Sequence, residues 1–128
     1  MDKMQTAVVA AALTPPDKVE HPDGSLTATQ RYLFTADFLG FQGHFPAAPI
    51  LPGVVQNLIG HCFCEAVRER PLALVGIDNA KFMLQLGPEM EITVSGTFKE
   101  KGDKLVASIK LDVADGTASA YQLTFIKE

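Results

Sequence analysis

The clearest pattern in the chain lies between residues 53 and 68. Val54, Val55, Leu58, Ile59, Cys62, Phe63, Ala66 and Val67 recur at helical spacing and make one broad apolar stripe. Asn57, His61, Cys64 and Arg68 fall on the opposite side, with Glu65 at the border. Pro52 and Gly53 open the segment, and proline suits a helix start because its missing N–H costs nothing there. Arg68 and Arg70 supply late positive charge, and Pro71 is a stop. The pattern predicts a helix over 53–68.

Beyond Pro71 the period falls from helical to two. Residues 72–86 read as one long strand, bent near Asp78 and Asn79. Residues 91–98 alternate, with Ile92, Val94 and Phe98 on one face. Lys101-Gly102-Asp103 is a turn. Leu105, Ala107, Ile109, Leu111 and Val113 make the next apolar face, Asp115-Gly116 a hairpin turn, and Tyr121, Leu123 and Phe125 a last strand. Before the helix, residues 5–13 read as a strand, although alanine weakens it. Residues 14–24, with their Pro-Pro, His-Pro and Asp-Gly pairs, read as loop, and 25–34 as a less regular strand. A helix with so wide an apolar stripe needs a surface, and the sheet is the one available. The expected fold is α+β: a curved antiparallel sheet wrapped around one long central helix, in a single domain spanning 1–128.

With 128 residues, 47% of them hydrophobic, the chain can fill one core but not two. A mean hydropathy of +0.13 is high for so small a domain, and implies that a second copy covers part of its surface. The net charge of −4 argues against nucleic acid as a general partner. No apolar run reaches the length of a membrane span. The first sixteen residues carry one lysine and a short apolar patch, less than a secretory signal needs, and are taken into the first strand. Cys62 and Cys64 would point in well-separated directions on a helix, which argues against a disulfide and for reduced, cytoplasmic thiols.

The stretch with the most chemistry is 41–56, FQGHFPAAPILPGVVQ. Its prolines and glycines fix a loop of defined shape that carries His44 to a point just before the helix start. A helix start offers free N–H groups and partial positive charge. A base beside such an anion hole is a catalytic arrangement, although a lone histidine is more often structural. For Gly53, helix-start geometry and oxyanion binding are compatible roles. Cys62 reads as a small buried residue, and nothing nearby activates Cys64. His21 belongs to a turn. The three histidines have no carboxylate spacing that would make a metal site.

GHFPAAPILPGVVQ resembles the signature of the hot-dog-fold 3-hydroxyacyl-(acyl-carrier-protein) dehydratases of fatty acid synthesis, G-H-F-P-x-x-P-x-x-P-G-V followed by the central helix. The order of elements is similar over nearly the whole chain. KFMLQLGPEMEI resembles a later family segment, with Gly87-Pro88-Glu89 in place of its Pro-Gly-Asp, and the helical N-terminal extension of many relatives is not expected. The resemblance implies a hot-dog fold and elimination of water from 3-hydroxyacyl thioesters to trans-2-enoyl thioesters. It implies a homodimer or larger homo-oligomer with the site at the interface. The substrate would be carried by an acyl carrier protein or coenzyme A, with no metal or organic cofactor. By the same resemblance His44 matches the family histidine and Gly53 the glycine whose N–H binds the thioester carbonyl. Phe45, Pro52, Val54, Asn57, Leu58 and Phe82 would line the substrate site. The family's helix carboxylate falls on Leu58, where this chain has none.

Elimination needs a base for the α-proton, stabilisation of the enolate-like oxygen and a proton for the departing hydroxyl. Histidine suits the first and helix-start N–H groups the second. Leu58 cannot serve the third. His61, one turn further on, could donate that proton if Glu65 oriented it; the same four-residue spacing is also that of an ordinary stabilising pair on a helix face. Asn57 could hold a water but is a poor acid. Arg31, Arg68 and Arg70 are candidates for docking an acidic carrier protein. Two other functions stay open: a thioesterase on the same fold, and a non-catalytic acyl-binding or partner subunit, which the leucine at 58 favours.

Overall fold

The computed structural model describes residues 2–41 and 49–127. In chain order the elements are α1 (Lys3–Ala10), β1 (Asp17–Glu20), β2 (Leu26–Leu33), a short 3-10 turn (Leu39–Phe41), α2 (Gly53–Arg68), β3 (Leu74–Phe82), β4 (Glu91–Lys101), β5 (Lys104–Val113) and β6 (Gly116–Ile126). The strands form one antiparallel sheet in the order β1-β2-β4-β5-β6-β3. The central helix has the predicted bounds. Among the described residues, no helix is long and apolar enough to cross a membrane.

Two expectations before the helix are corrected. The strand expected over 5–13 is the helix α1. Its start is fixed by a capping box: Asp2 accepts the Gln5 backbone N–H, and the Gln5 side chain accepts the Asp2 N–H. The alanines that weaken a strand are the best helix formers, so local propensity favours the helix. An N-terminal helix, though short, is therefore present. The loop expected over 14–24 contains β1, four exposed residues paired to β2.

The core lies between α2 and one face of the sheet. On β4 and β5 the inward positions Ile92, Val94, Phe98, Leu105, Ile109 and Leu111 alternate with outward polar ones. Two glycines set how closely helix and sheet approach. A Cβ on Gly96 would stand 2.9 Å from the Phe63 ring, and one on Gly60 would collide with the Tyr121 hydroxyl. That hydroxyl donates to the Gln56 carbonyl at 2.6 Å, tying α2 to β6. The helix is buried over more than the apolar stripe, because α1 packs on one flank while the sheet curls under the other. Cys64, expected on the polar side, is therefore fully buried. Both cysteines are free thiols.

β3 differs from the other strands. It is an edge strand, bulged between Asp78 and Lys81 where Asn79 takes φ 56°, as the expected bend requires. Every residue except Gly76 is exposed, and Val75, Ile77 and Phe82, with Met83 just past the strand, carry large apolar side chains into solvent. Val54 on α2 is 74% exposed. An apolar edge beside an exposed helix face is a surface that soluble proteins cover.

Candidate active site

Pro52 is the N-cap of α2, in extended conformation, and its own side chain makes no capping bond. The Val55 and Gln56 N–H groups both close on the Pro52 carbonyl at 3.0 and 3.1 Å. The N–H groups of Gly53 and Val54 therefore lead the helix, where the macrodipole is positive.

This helix start opens onto a cleft of about 330 Å³. Ile50, Leu51, Pro52, Gly53 and Gln56 form one side, and Phe82, Met83, Leu84 and Gln85 the other. Its walls are held by the backbone. Leu51 N–H donates to Leu86 O at 2.8 Å, and the N–H groups of Met83 and Leu84 both reach Ala118 O. The Phe82 ring lies against Gly53, 3.1 Å from where a Cβ would be. A side chain at this position would press on that ring. A larger trough of about 580 Å³ runs over the opposite sheet face past Ser95, Thr97, Ser108, Lys110 and Gln122. It is lined by strand residues and meets no helix start, so the smaller cleft is the candidate site.

The structure brings Gly53, Pro52 and Phe82 together along this cleft. It leaves Val54, Asn57, Leu58 and His61 outside the cleft lining. Val54 faces solvent, and Leu58 packs half-buried against the core margin. Asn57 is half-buried, with Oδ1 buried and unpartnered among the described residues. His44 and Phe45 lie outside the described residues.

His61 stands eight residues beyond Gly53, about 12 Å along the helix. It does pair with Glu65, Nε2 to Oε2 at 3.4 Å. The same Nε2 is 2.9 Å from the Leu72 carbonyl, which fixes the proton on that nitrogen, and Glu65 Oε2 accepts the Leu72 N–H at 2.8 Å. The ring also leans on Phe125, with centroids 5.2 Å apart. The pair thus clasps the chain entering β3, and its N–H is already in use. Nor do the basic candidates rim the cleft. Arg31 pairs with Glu91, Arg68 pairs with Glu100, and α2 carries Arg68 about 22 Å from its start.

Gln56 was not among the expected site residues. It is 4% exposed, its Nε2 donates to the Leu51 carbonyl at 3.0 Å, and its Oε1 is buried and unpartnered among the described residues. The sequence signal for it is a lone polar residue on a buried stripe, one turn before Gly60 and two before Phe63.

Buried groups around the helix are held neutral. Burial, assisted by nearby Glu65, pushes the Cys62 thiol up to about 11 and that of Cys64 higher still. Burial also raises the Tyr121 phenol well above its ordinary value, against the Gly60 N–H, which lowers it.

A curled antiparallel sheet around one central helix, with the helix start opening into an apolar cleft, defines a hot-dog protein. Comparison with known proteins narrows the class. The ApeI-like family, described as ApeI dehydratase, matches residues 19–121, and the chain belongs to that family. The 3-hydroxyacyl-(acyl-carrier-protein) dehydratase FabZ of Lactobacillus helveticus is 30% identical over 121 residues, 86% of this chain and 80% of the relative. Among solved structures, the dehydratase heterocomplex ApeI:P from Xenorhabdus doucetiae superposes with a TM-score of 0.67 at 24% identity, covering 89% of this chain and all of that one. A putative thioesterase, yhdA of Lactococcus lactis, superposes with a TM-score of 0.66 at 14% identity over the full length of both. At these identities the two structures speak to the fold alone. The hot-dog fold and the dehydratase family expected from the sequence are both borne out.

Proposed function

We propose that this protein removes water from 3-hydroxyacyl thioesters to give trans-2-enoyl thioesters. The observation that carries the reading is the start of α2 at Gly53, opening into an apolar cleft under Phe82. Membership of a dehydratase family and the likeness to FabZ support it.

In this reading the acyl chain lies in the cleft and the thioester carbonyl meets the Gly53 N–H. His44 takes the α-proton. Negative charge then grows on the carbonyl oxygen, where a fixed N–H dipole at a helix start stabilises it without reorganisation. The enolate electron pair forms the α,β double bond as the β-carbon–oxygen bond breaks, and hydroxide leaves as water on taking a proton from solvent, since position 58 carries no carboxyl group. Base, oxyanion donor and acid suffice, so the step calls for no metal or organic cofactor. Phosphopantetheine of a carrier protein, or coenzyme A, delivers the thioester in the cytoplasm. A second copy covers β3 and the exposed Val54 face, and closes the cleft from that side.

Leu58 favours a second reading. With no carboxylate there, the chain would bind acyl thioesters as a non-catalytic partner within a larger complex. A single assay separates the readings. The protein is incubated with a 2-enoyl-coenzyme A while enoyl absorbance and free thiol are followed. Loss of absorbance without thiol release supports the dehydratase, and its absence overturns it. Saturable binding alone identifies the partner subunit, and thiol release a thioesterase.

A further inference from the structure

We infer that Gln56 is the residue that recognises the substrate's 3-hydroxyl group, its Oε1 accepting the hydroxyl hydrogen bond. This deepens the dehydratase reading and rests on it.

Three observations lead there. Gln56 is a buried polar residue, 4% exposed, in a cleft otherwise lined mainly by apolar groups. Its Nε2 is already used, donating to the Leu51 carbonyl at 3.0 Å. That bond also fixes the orientation of the amide, since a flipped group would set two carbonyl oxygens against each other. What the side chain has left to offer is Oε1, which has no partner among the described residues. A buried acceptor without a donor is unfavourable, and calls for an ordered water or a ligand to complete it.

The missing partner is therefore a donor. A saturated acyl chain has none, and neither has the thioester carbonyl. A 3-hydroxyacyl chain has one, two carbons from the carbonyl that Gly53 would hold, and Gln56 stands three residues from Gly53 on the same cleft. An acceptor does not help hydroxide to leave, because it adds electron density to the departing oxygen. Gln56 is thus a positioning residue. It orients the hydroxyl and selects 3-hydroxyacyl chains over saturated ones.

The test uses the intact protein and ligands that cannot react. A pantetheine-linked 3-hydroxyacyl amide, whose α-proton is too weakly acidic for elimination, is compared by calorimetry with its 3-deoxy and 3-fluoro counterparts. The fluoro compound matches the hydroxyl in size but donates nothing. Wild type is expected to prefer the hydroxyl compound by about tenfold or more over both. Gln56→Met should abolish the preference while keeping affinity for the deoxy compound. Equal binding of all three ligands by wild type overturns the assignment, and this arm needs no variant to fold. So does a preference that survives in Gln56→Met, or a uniform loss of affinity for all three there, which would mean that Gln56 only braces Leu51 or meets the pantetheine arm. If wild type binds none of the ligands, the dehydratase reading falls as well.

Discussion

Gly53, the first residue of α2, lies against the ring of Phe82 on β3, so that a Cβ on the glycine would stand 3.1 Å from the ring's Cζ. Neither residue is buried tightly enough to need this contact for stability, since Phe82 is 47% exposed. Contact and function therefore separate cleanly. In Gly53→Ala the ring can swing outward, and alanine suits a helix better than glycine, so unfolding free energy should change by less than about 1 kcal/mol. The new methyl group would crowd the space in front of the leading N–H. Enoyl-thioester hydration should lose at least about tenfold in kcat/KM, as expected when an oxyanion donor is obstructed. An unchanged kcat/KM would remove Gly53 from the chemistry.

Glu65 and His61 should behave as structural residues. Each meets the chain at Leu72, one through its N–H and one through its carbonyl. Removing Glu65 leaves the Leu72 N–H without its acceptor, so Glu65→Ala should lower stability by about 1–3 kcal/mol, and Glu65→Gln by less. His61→Ala should fall in the same range. Hydration rates per folded molecule should stay within about twofold of wild type for all three, far below the loss expected for an acid. Denaturation curves beside initial rates decide it. A rate falling by about a hundredfold in His61→Ala, with stability intact, would restore the histidine as proton donor.

Stability should fall in alkali sooner than a surface of carboxylates and lysines would require. The Cys62 thiol is raised from 9.0 to about 11 in the folded protein, and Cys64 and Tyr121 are raised as well. Above pH 9 the unfolded chain sheds the thiol proton while the folded chain keeps it. The folded state then binds more protons, so stability is full below that pH and declines as pH rises toward 11. Each such group steepens the decline by at most about 1.4 kcal/mol per pH unit. Urea midpoints from about pH 7 upward should show the onset, and Cys62→Ala should flatten it. Both thiols should resist thiol reagents until the protein unfolds. A midpoint constant to about pH 11 would contradict the burial of these groups.

What was legible in the sequence followed from local pattern. The central helix has a wide apolar stripe, a Pro-Gly start and a proline stop, and these markers fall at its ends, Gly53 and Arg68. β4 and β5 alternate strictly, and β6 does so from Ser119 onward, between turns that carry Gly102 at φ 60° and Gly116 at φ 129°. α1 was hidden because a segment of alanine and valine shows no polar face, and its capping box is two residues at the very start. β1 was hidden because Asp-Lys-Val-Glu is exposed on every position and exists only as a partner of β2. Cys64 was misplaced because periodicity tells which face is apolar but not how far the sheet curls. At the site, Gly53 could be named from its motif. Gln56 could not, since its meaning depends on where the Leu51 carbonyl and the cleft come to lie.

Leu58 is the residue on which the proposed activity turns. It is half-buried at the edge of the core rather than at its centre, so a polar side chain there can reach solvent. Leu58→Glu should fold, with a modest loss of stability from the apolar contacts removed. Leu58 lies outside the cleft of its own chain, so a carboxyl group there supplies the missing proton donor only to the cleft of a second copy packed against this helix face. A general acid is worth roughly a hundredfold to ten-thousandfold when well placed, and one introduced without supporting neighbours should still raise kcat for enoyl hydration by about tenfold. Leu58→Gln is the control, equal in shape and unable to donate as an acid, and should leave kcat unchanged. The gain should also appear as a new limb in the pH–rate profile that only Leu58→Glu shows. A wild-type protein that already hydrates as fast as Leu58→Glu would mean that the proton comes from elsewhere, and that the leucine is a finished solution rather than a lost carboxylate.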